Sequence, residues 1–228
     1  MYSMLGARII CHYSISDCST RALTFIFYAV GAVKDVSFLI DVLPAYVFPN
    51  DERTIGEWVL AGFSLGGHAT WLGLRHGAHT SPTLPPTHPL MTTTRLKEPR
   101  IRIGIPICGC PDYLGLMEQR AEHRGVPRTA PHFPASLRAL VRAHNSVAAQ
   151  PFAGKRVLVL AGADDGLVPW EASRAFVEAL DVGRGGRKEV VVVPGVQHEF
   201  TDGMRDVMFR FFWEEALVGG PAVLNSAL

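Results

Sequence analysis

The sequence predicts an α/β fold, a mostly parallel sheet with helices on both faces. Two patterns carry that prediction. Short, unbroken apolar runs rich in β-branched residues recur along the chain, as strands buried on both faces do. Amphipathic stretches at helical spacing separate them. The size agrees: 228 residues, 48% hydrophobic and 19% charged, suit a single domain over 1–228 with a real core.

The elements follow in order. Residues 1–21 show no clear periodicity. Leu23–Tyr28 reads as a buried strand by its β-branched and aromatic content, with a helical turn as the alternative. Val36, Leu39, Ile40 and Leu43 predict an amphipathic helix from Lys34 to about Leu43, which Pro44 perturbs. Trp58–Phe63 reads as a strand, and Leu65 to about Arg75 as a helix that begins at two glycines. Ile101–Ile107, Arg156–Ala161 and Glu189–Val193 are the further strands. Helical patches fall at Tyr113–Glu122, Ala135–His144, Glu171–Leu180 and Met204–Leu217. The last carries Met204, Val207, Met208, Phe211 and Phe212 on one face. Residues 77–97 are dominated by Thr and Pro without periodicity and read as a disordered surface insertion.

Composition excludes several classes. Lys plus Arg is 22 and Asp plus Glu is 21, a balance that argues against a nucleic-acid binder. The longest apolar stretch, Ala22–Val33, is too short for a membrane span, and Met1–Arg8 lacks the pattern of a secretory leader. The expectation is a soluble, cytoplasmic protein. Of the four cysteines, Cys108 and Cys110 are too close for a comfortable disulfide and read as buried core thiols.

Three segments carry chemistry. Gly62-Phe63-Ser64-Leu65-Gly66-Gly67 places a G-x-S-x-G pattern between a strand and a helix. A serine thrust out at such a turn needs a strained backbone and neighbours without a Cβ. The helix behind it offers unpaired N–H groups, of which that of Leu65 is the natural oxyanion donor. A serine hydroxyl needs a base, and the base an orienting acid. Of nine histidines, only His198 follows the late acidic candidates, just past the last strand. The acid comes from Gly162-Ala163-Asp164-Asp165-Gly166-Leu167-Val168-Pro169, at the end of the preceding strand. Asp165 fits a G-x-x-D-x-x-V-P arrangement; Asp164 is the alternative.

With these three segments in that order, the chain from about Lys34 to Leu217 resembles the α/β-hydrolase superfamily. The resemblance implies Ser64 as nucleophile, His198 as general base and acid, and Asp165 as the residue holding the imidazole. Val36–Leu43 followed by Phe48-Pro49-Asn50-Asp51 also resembles a group of esterase-like proteins within it. It further implies a small cap region over 111–150, where substrate pockets are often built. There Tyr113, Met117 and Phe133 are candidate lining residues, with core packing as their alternative role.

The chain departs from the family pattern ahead of Ser64. It has no His-Gly segment there to supply a second oxyanion donor, and only 63 residues precede the serine. The expectation is a fold shortened at the N-terminus, with Trp58–Phe63 near an exposed sheet edge. If Leu23–Tyr28 substitutes as a strand, its following turn near Gly31 supplies the missing N–H.

The functional expectation is a serine hydrolase acting on small-molecule carboxylic esters or thioesters through an acyl-enzyme, with no metal or cofactor. The alternatives are a catalytically weak or inactive protein of the same fold, and a peptidase of the prolyl-oligopeptidase type.

Overall fold

The computed structural model describes residues 18–75, 98–145 and 152–218, with side chains from residue 27 onward and none at 144–145. The predicted insertion at 77–97 lies outside the described residues. The chain opens on a long helix, α1 (Cys18–Val47), followed by β1 (Trp58–Phe63) and α2 (Leu65–Leu74). β2 (Ile101–Ile107) leads to two short helices, α3 (Tyr113–His123) and α4 (Ala135–Asn145). Then come β3 (Arg156–Gly162), α5 (Trp170–Ala179), β4 (Arg187–Val193) and α6 (Asp202–Phe212). A π-helical extension, Trp213–Val218, continues α6.

The four strands form one parallel sheet in the order β1-β2-β3-β4. Each crossover therefore steps one strand in the same direction. Right-handed crossovers of that kind put their helices on one face. The packing agrees: Ile40 of α1, Trp71 and Leu74 of α2, and Val177 of α5 share a cluster with Val157 and Val159 of β3. α6 follows the last strand, makes no crossover, and covers the other face. Its Met204 and Phe211 pack on Ile103, Ile105 and Ile107 of β2 and Leu158 and Leu160 of β3. All seven residues of β3 are buried, the mark of a strand covered above and below.

α3 and α4 build a separate small core. Tyr113, Leu116, Met117, Phe133, Leu137 and Val141 are buried together with Val168 from the loop after β3. Asp112 caps α3 by accepting the Gly115 N–H at 3.0 Å.

One predicted element is corrected. Leu23–Tyr28 is not a strand; it lies inside α1. A short apolar run does not declare its period, and here the deciding stripe lies further on. Ala29, Val33 and Ile40 are buried at spacings of four and seven, one side of a helix. α1 also runs through Pro44 to Val47 rather than stopping near Leu43. A proline near the C-terminal end removes only one ladder bond.

Candidate active site

The end of β1 is built to expose one hydroxyl. Ser64 has φ 55 and ψ −113, a left-handed backbone that a side chain adopts only under strain. It occupies the N-cap position of α2, where a serine normally accepts an N–H from the first turn. No such bond forms here, so the hydroxyl remains available. The Ser64 N–H donates to the Ile107 carbonyl at 2.9 Å, extending the β1–β2 pairing through the turn. Gly62 makes the turn possible: a Cβ there would lie 2.3 Å from the Gly66 carbonyl carbon and oxygen. His68 donates its N–H to the Ser64 carbonyl at 3.1 Å, the first bond of the helix ladder. The N–H groups of Leu65 and Gly66 thus sit in the first turn without a partner one turn back.

His198 and Asp165 arrive from the ends of the other strands. The Asp165 carboxylate is fixed by its own loop, because Oδ1 accepts the N–H of Leu167 and of Val168, both at 2.8 Å. Oδ2 faces Nδ1 of His198 at 2.7 Å, and His198 Nε2 faces Ser64 Oγ at 2.8 Å. Asp165 is buried, whereas the His198 side chain keeps 16% of its surface open. The histidine loop packs directly on the end of β3, where a Cβ on Gly162 would meet the Val196 and Gln197 carbonyl oxygens at 2.3 and 2.4 Å. Asp164 instead donates its N–H to the Val196 carbonyl at 3.0 Å. The structure thus brings Ser64, His198 and Asp165 into one hydrogen-bonded line, and Leu65 beside it.

Beside the imidazole lies an open cavity of about 610 Å³ lined by Gly166, Leu167, Gly195, Gln197, His198 and Glu199. Tyr113, Met117 and Phe133 do not reach it. They are 5%, 4% and 2% exposed, inside the α3–α4 core, so the structure places them in packing rather than on the cavity wall. Phe63 does reach the imidazole, with ring centroids 5.0 Å apart. The turn expected near Gly31 is absent too, since Gly31 lies inside α1 and the helix ladder engages its N–H.

Three further residues, His68, Trp71 and Arg120, hold the site's surroundings. His68 lies four residues after Ser64, on the same side of α2. Its Nδ1 is 2.7 Å from the Cys110 carbonyl oxygen and 3.0 Å from the Cys110 amide nitrogen. Burial lowers its pKa to about 4, so the ring is neutral. Trp71 Nε1 donates to the Gly109 carbonyl at 3.2 Å. Together they pin the Cys108-Gly109-Cys110 turn under α2. Arg120 of α3 donates to the Leu167 carbonyl from Nε at 3.1 Å and from a terminal nitrogen, bracing the acid's loop. Only a His at i+4 from the serine was visible as a signal; the other two contacts are long-range.

Solved structures share this arrangement of elements. A bifunctional GH43-CE protein from Bacteroides eggerthii aligns over 81% of this chain with a TM-score of 0.56 at 22% identity. A puromycin hydrolase aligns over 83% with a TM-score of 0.50 at 15% identity. The chain has the α/β-hydrolase fold. An esterase of Thermogutta terrifontis also matches, at 16% identity over 82% of the chain with a TM-score of 0.47. This α/β-hydrolase-fold chain spans 27%, 25% and 65% of the length of those three proteins, respectively. No protein-family model and no curated protein matches it. Among its described residues, no helix is long and apolar enough to cross a membrane.

Proposed function

We propose that this protein hydrolyses carboxylic esters or thioesters of small molecules through an acyl-enzyme. The single observation that carries the reading is the unbroken relay from Ser64 Oγ through His198 to Asp165, at 2.8 and 2.7 Å. His198 Nε2 takes the Ser64 proton as Oγ attacks the carbonyl carbon. Asp165 keeps the other imidazole proton on Nδ1, which leaves Nε2 free to accept. The oxyanion that forms is held by the Leu65 N–H at the positive end of α2. The same imidazole then returns its proton to the departing alkoxide or thiolate. Water repeats the cycle on the acyl-serine.

Labelling with a fluorophosphonate tests this. Wild-type protein and Ser14→Ala take the label, and Ser64→Ala does not. No label on a folded wild-type sample sinks the reading.

A second reading, weak turnover, is favoured by the position of Gly31 inside a helix, which leaves the Leu65 N–H as the one oxyanion donor proposed among the described residues. Loss of one oxyanion donor costs about 10²–10³-fold in turnover. Burst kinetics on p-nitrophenyl acetate separate the two. Slow acylation with intact labelling is the weak enzyme, and fast acylation the efficient one. Release from Pro-containing peptides without ester turnover would replace both with a peptidase.

A further inference from the structure

One side chain beside the relay has no part in the chemistry above. Cys108 directly follows β2 with φ 48, a left-handed backbone at a non-glycine position. That bend turns its thiol toward the acid and base. One ligand atom each of Cys108, Asp165 and His198 lies within 4.8 Å of the others, and Cys108 and Asp165 are buried. The Cys108 Sγ is also 3.7 Å from the Glu199 carbonyl oxygen. Glu199 and His198 both line the open cavity, which provides a route from solvent to the cluster.

We propose that Cys108, Asp165 and His198 form a Zn²⁺ site that switches the relay off. The donor set is one sulfur, one imidazole nitrogen and one carboxylate oxygen, a combination that suits Zn²⁺ and excludes Mg²⁺ and Ca²⁺. Bond lengths of about 2.0–2.3 Å require tetrahedral ligands to sit about 3.5 Å apart. For Zn²⁺ to enter, the Asp165 Oδ2–His198 Nδ1 contact opens from 2.7 Å to about 3.5 Å and the Cys108 thiol draws in by about 1 Å, both within reach of side-chain rotation.

The switch follows from proton placement. The metal takes the lone pair of His198 Nδ1, the nitrogen that faces Asp165. The imidazole proton then resides on Nε2. An Nε2–H donates to Ser64 Oγ and can no longer accept its proton, so the serine loses its base. The ring stays neutral, Asp165 stays ionised, and one proton leaves from the Cys108 thiol. Burial, with the Asp165 carboxylate adding to it, pushes that thiol up to about 11. In the metal-free protein it is therefore protonated and does not rival Ser64 as a nucleophile.

The regulatory consequence rests on the hydrolase reading, but the metal site does not, and two readouts keep them apart. Zn²⁺ binding is measured by competition with a chromophoric chelator on the full chain. Wild type is expected to bind one Zn²⁺ that Cys108→Ser, His198→Gln and Asp165→Asn each weaken at least about 100-fold. Cys110→Ser should leave that binding in place. Wild type without such a Zn²⁺, or a Cys108→Ser protein that binds it equally tightly, overturns the site. Fluorophosphonate labelling is the second readout. Zn²⁺ should block labelling of wild type, EDTA restore it, Mg²⁺ leave it untouched, and Cys108→Ser label equally with and without Zn²⁺. Labelling of zinc-loaded wild type at the metal-free rate overturns the switch. Wild type that binds Zn²⁺ but never labels removes the hydrolase reading and leaves the metal site standing.

Discussion

Strand β1, which carries Ser64 at its end, has two unlike flanks. Toward β2 it is paired residue by residue, Val59–Phe63 against Ile103–Ile107, and the relay is assembled on that side. Every contact there is specified: a carboxylate with two N–H donors, an imidazole between two oxygens, a loop seated against a glycine. On its other side, no described strand pairs with β1, and Ala61 and Phe63 are exposed. α1 lies on this half, turning Phe27, Phe38 and Tyr46 outward with 73%, 65% and 84% of their surface open. The hydrogen-bonded line of Ser64, His198 and Asp165 thus lies within one half of the sheet, and of the proposed oxyanion site only the Leu65 N–H belongs to it. Aligning three side chains and completing an anion hole are separate structural tasks, and the described residues show the first.

The largest expected effect breaks the specified flank. Ser64→Ala or His198→Gln should lower ester turnover by about 10⁴-fold or more, read from initial rates. Asp165→Asn should cost about 10⁴-fold, because the wrong tautomer faces the serine, while Asp164→Asn costs little. If Asp164→Asn is the damaging change, the acid has been assigned to the wrong neighbour.

A pair of glycines sharpens the contrast in stability. Gly162→Ala places a methyl 2.3 Å from the Val196 carbonyl oxygen. It should destabilise by about 1–3 kcal/mol in urea unfolding and displace His198. Gly31→Ala on α1 meets nothing within 4 Å and should stabilise by about 0.5–1 kcal/mol. Opposite signs at the two sites are the test.

Acid titration probes the buried side of α2. His68 has a folded pKa of about 4 against 6.5 for a free histidine. Below 6.5 the unfolded chain therefore binds a proton that the folded chain refuses. Stability should be full above pH 6.5 and fall toward pH 4, by about 3 kcal/mol at the limit. His68→Gln should flatten that acid limb in denaturant midpoints measured against pH. The smallest effect is expected on the open flank, where Tyr46→Ser should change stability by no more than about 0.5 kcal/mol.

How much of this was legible beforehand depends on the range of the signal. β1 and β2 were readable to the residue, because each is a nearly continuous apolar run, although only β2 is largely buried. The G-x-S-x-G turn was readable because its glycines answer a local steric demand. His198 and Asp165 followed from chain order. Tyr113, Met117 and Phe133 were proposed as lining residues, yet an apolar side chain looks the same in sequence on a pocket wall and in a core. Leu23–Tyr28 fits either period on its own residues, and packing of the later Ala29–Val33–Ile40 stripe makes it helical.

The linear order of residues, then, already determined the class of fold, the strands that matter and the three side chains proposed for the chemistry. Each rests on local steric and hydrophobic requirements that a short window records. Which face α6 covers, where Arg120 and Trp71 reach, and that Cys108 stands behind the acid and base were decided by folding. Those contacts join residues some 40 to 90 positions apart, and only the packed sheet brings such partners within bonding distance.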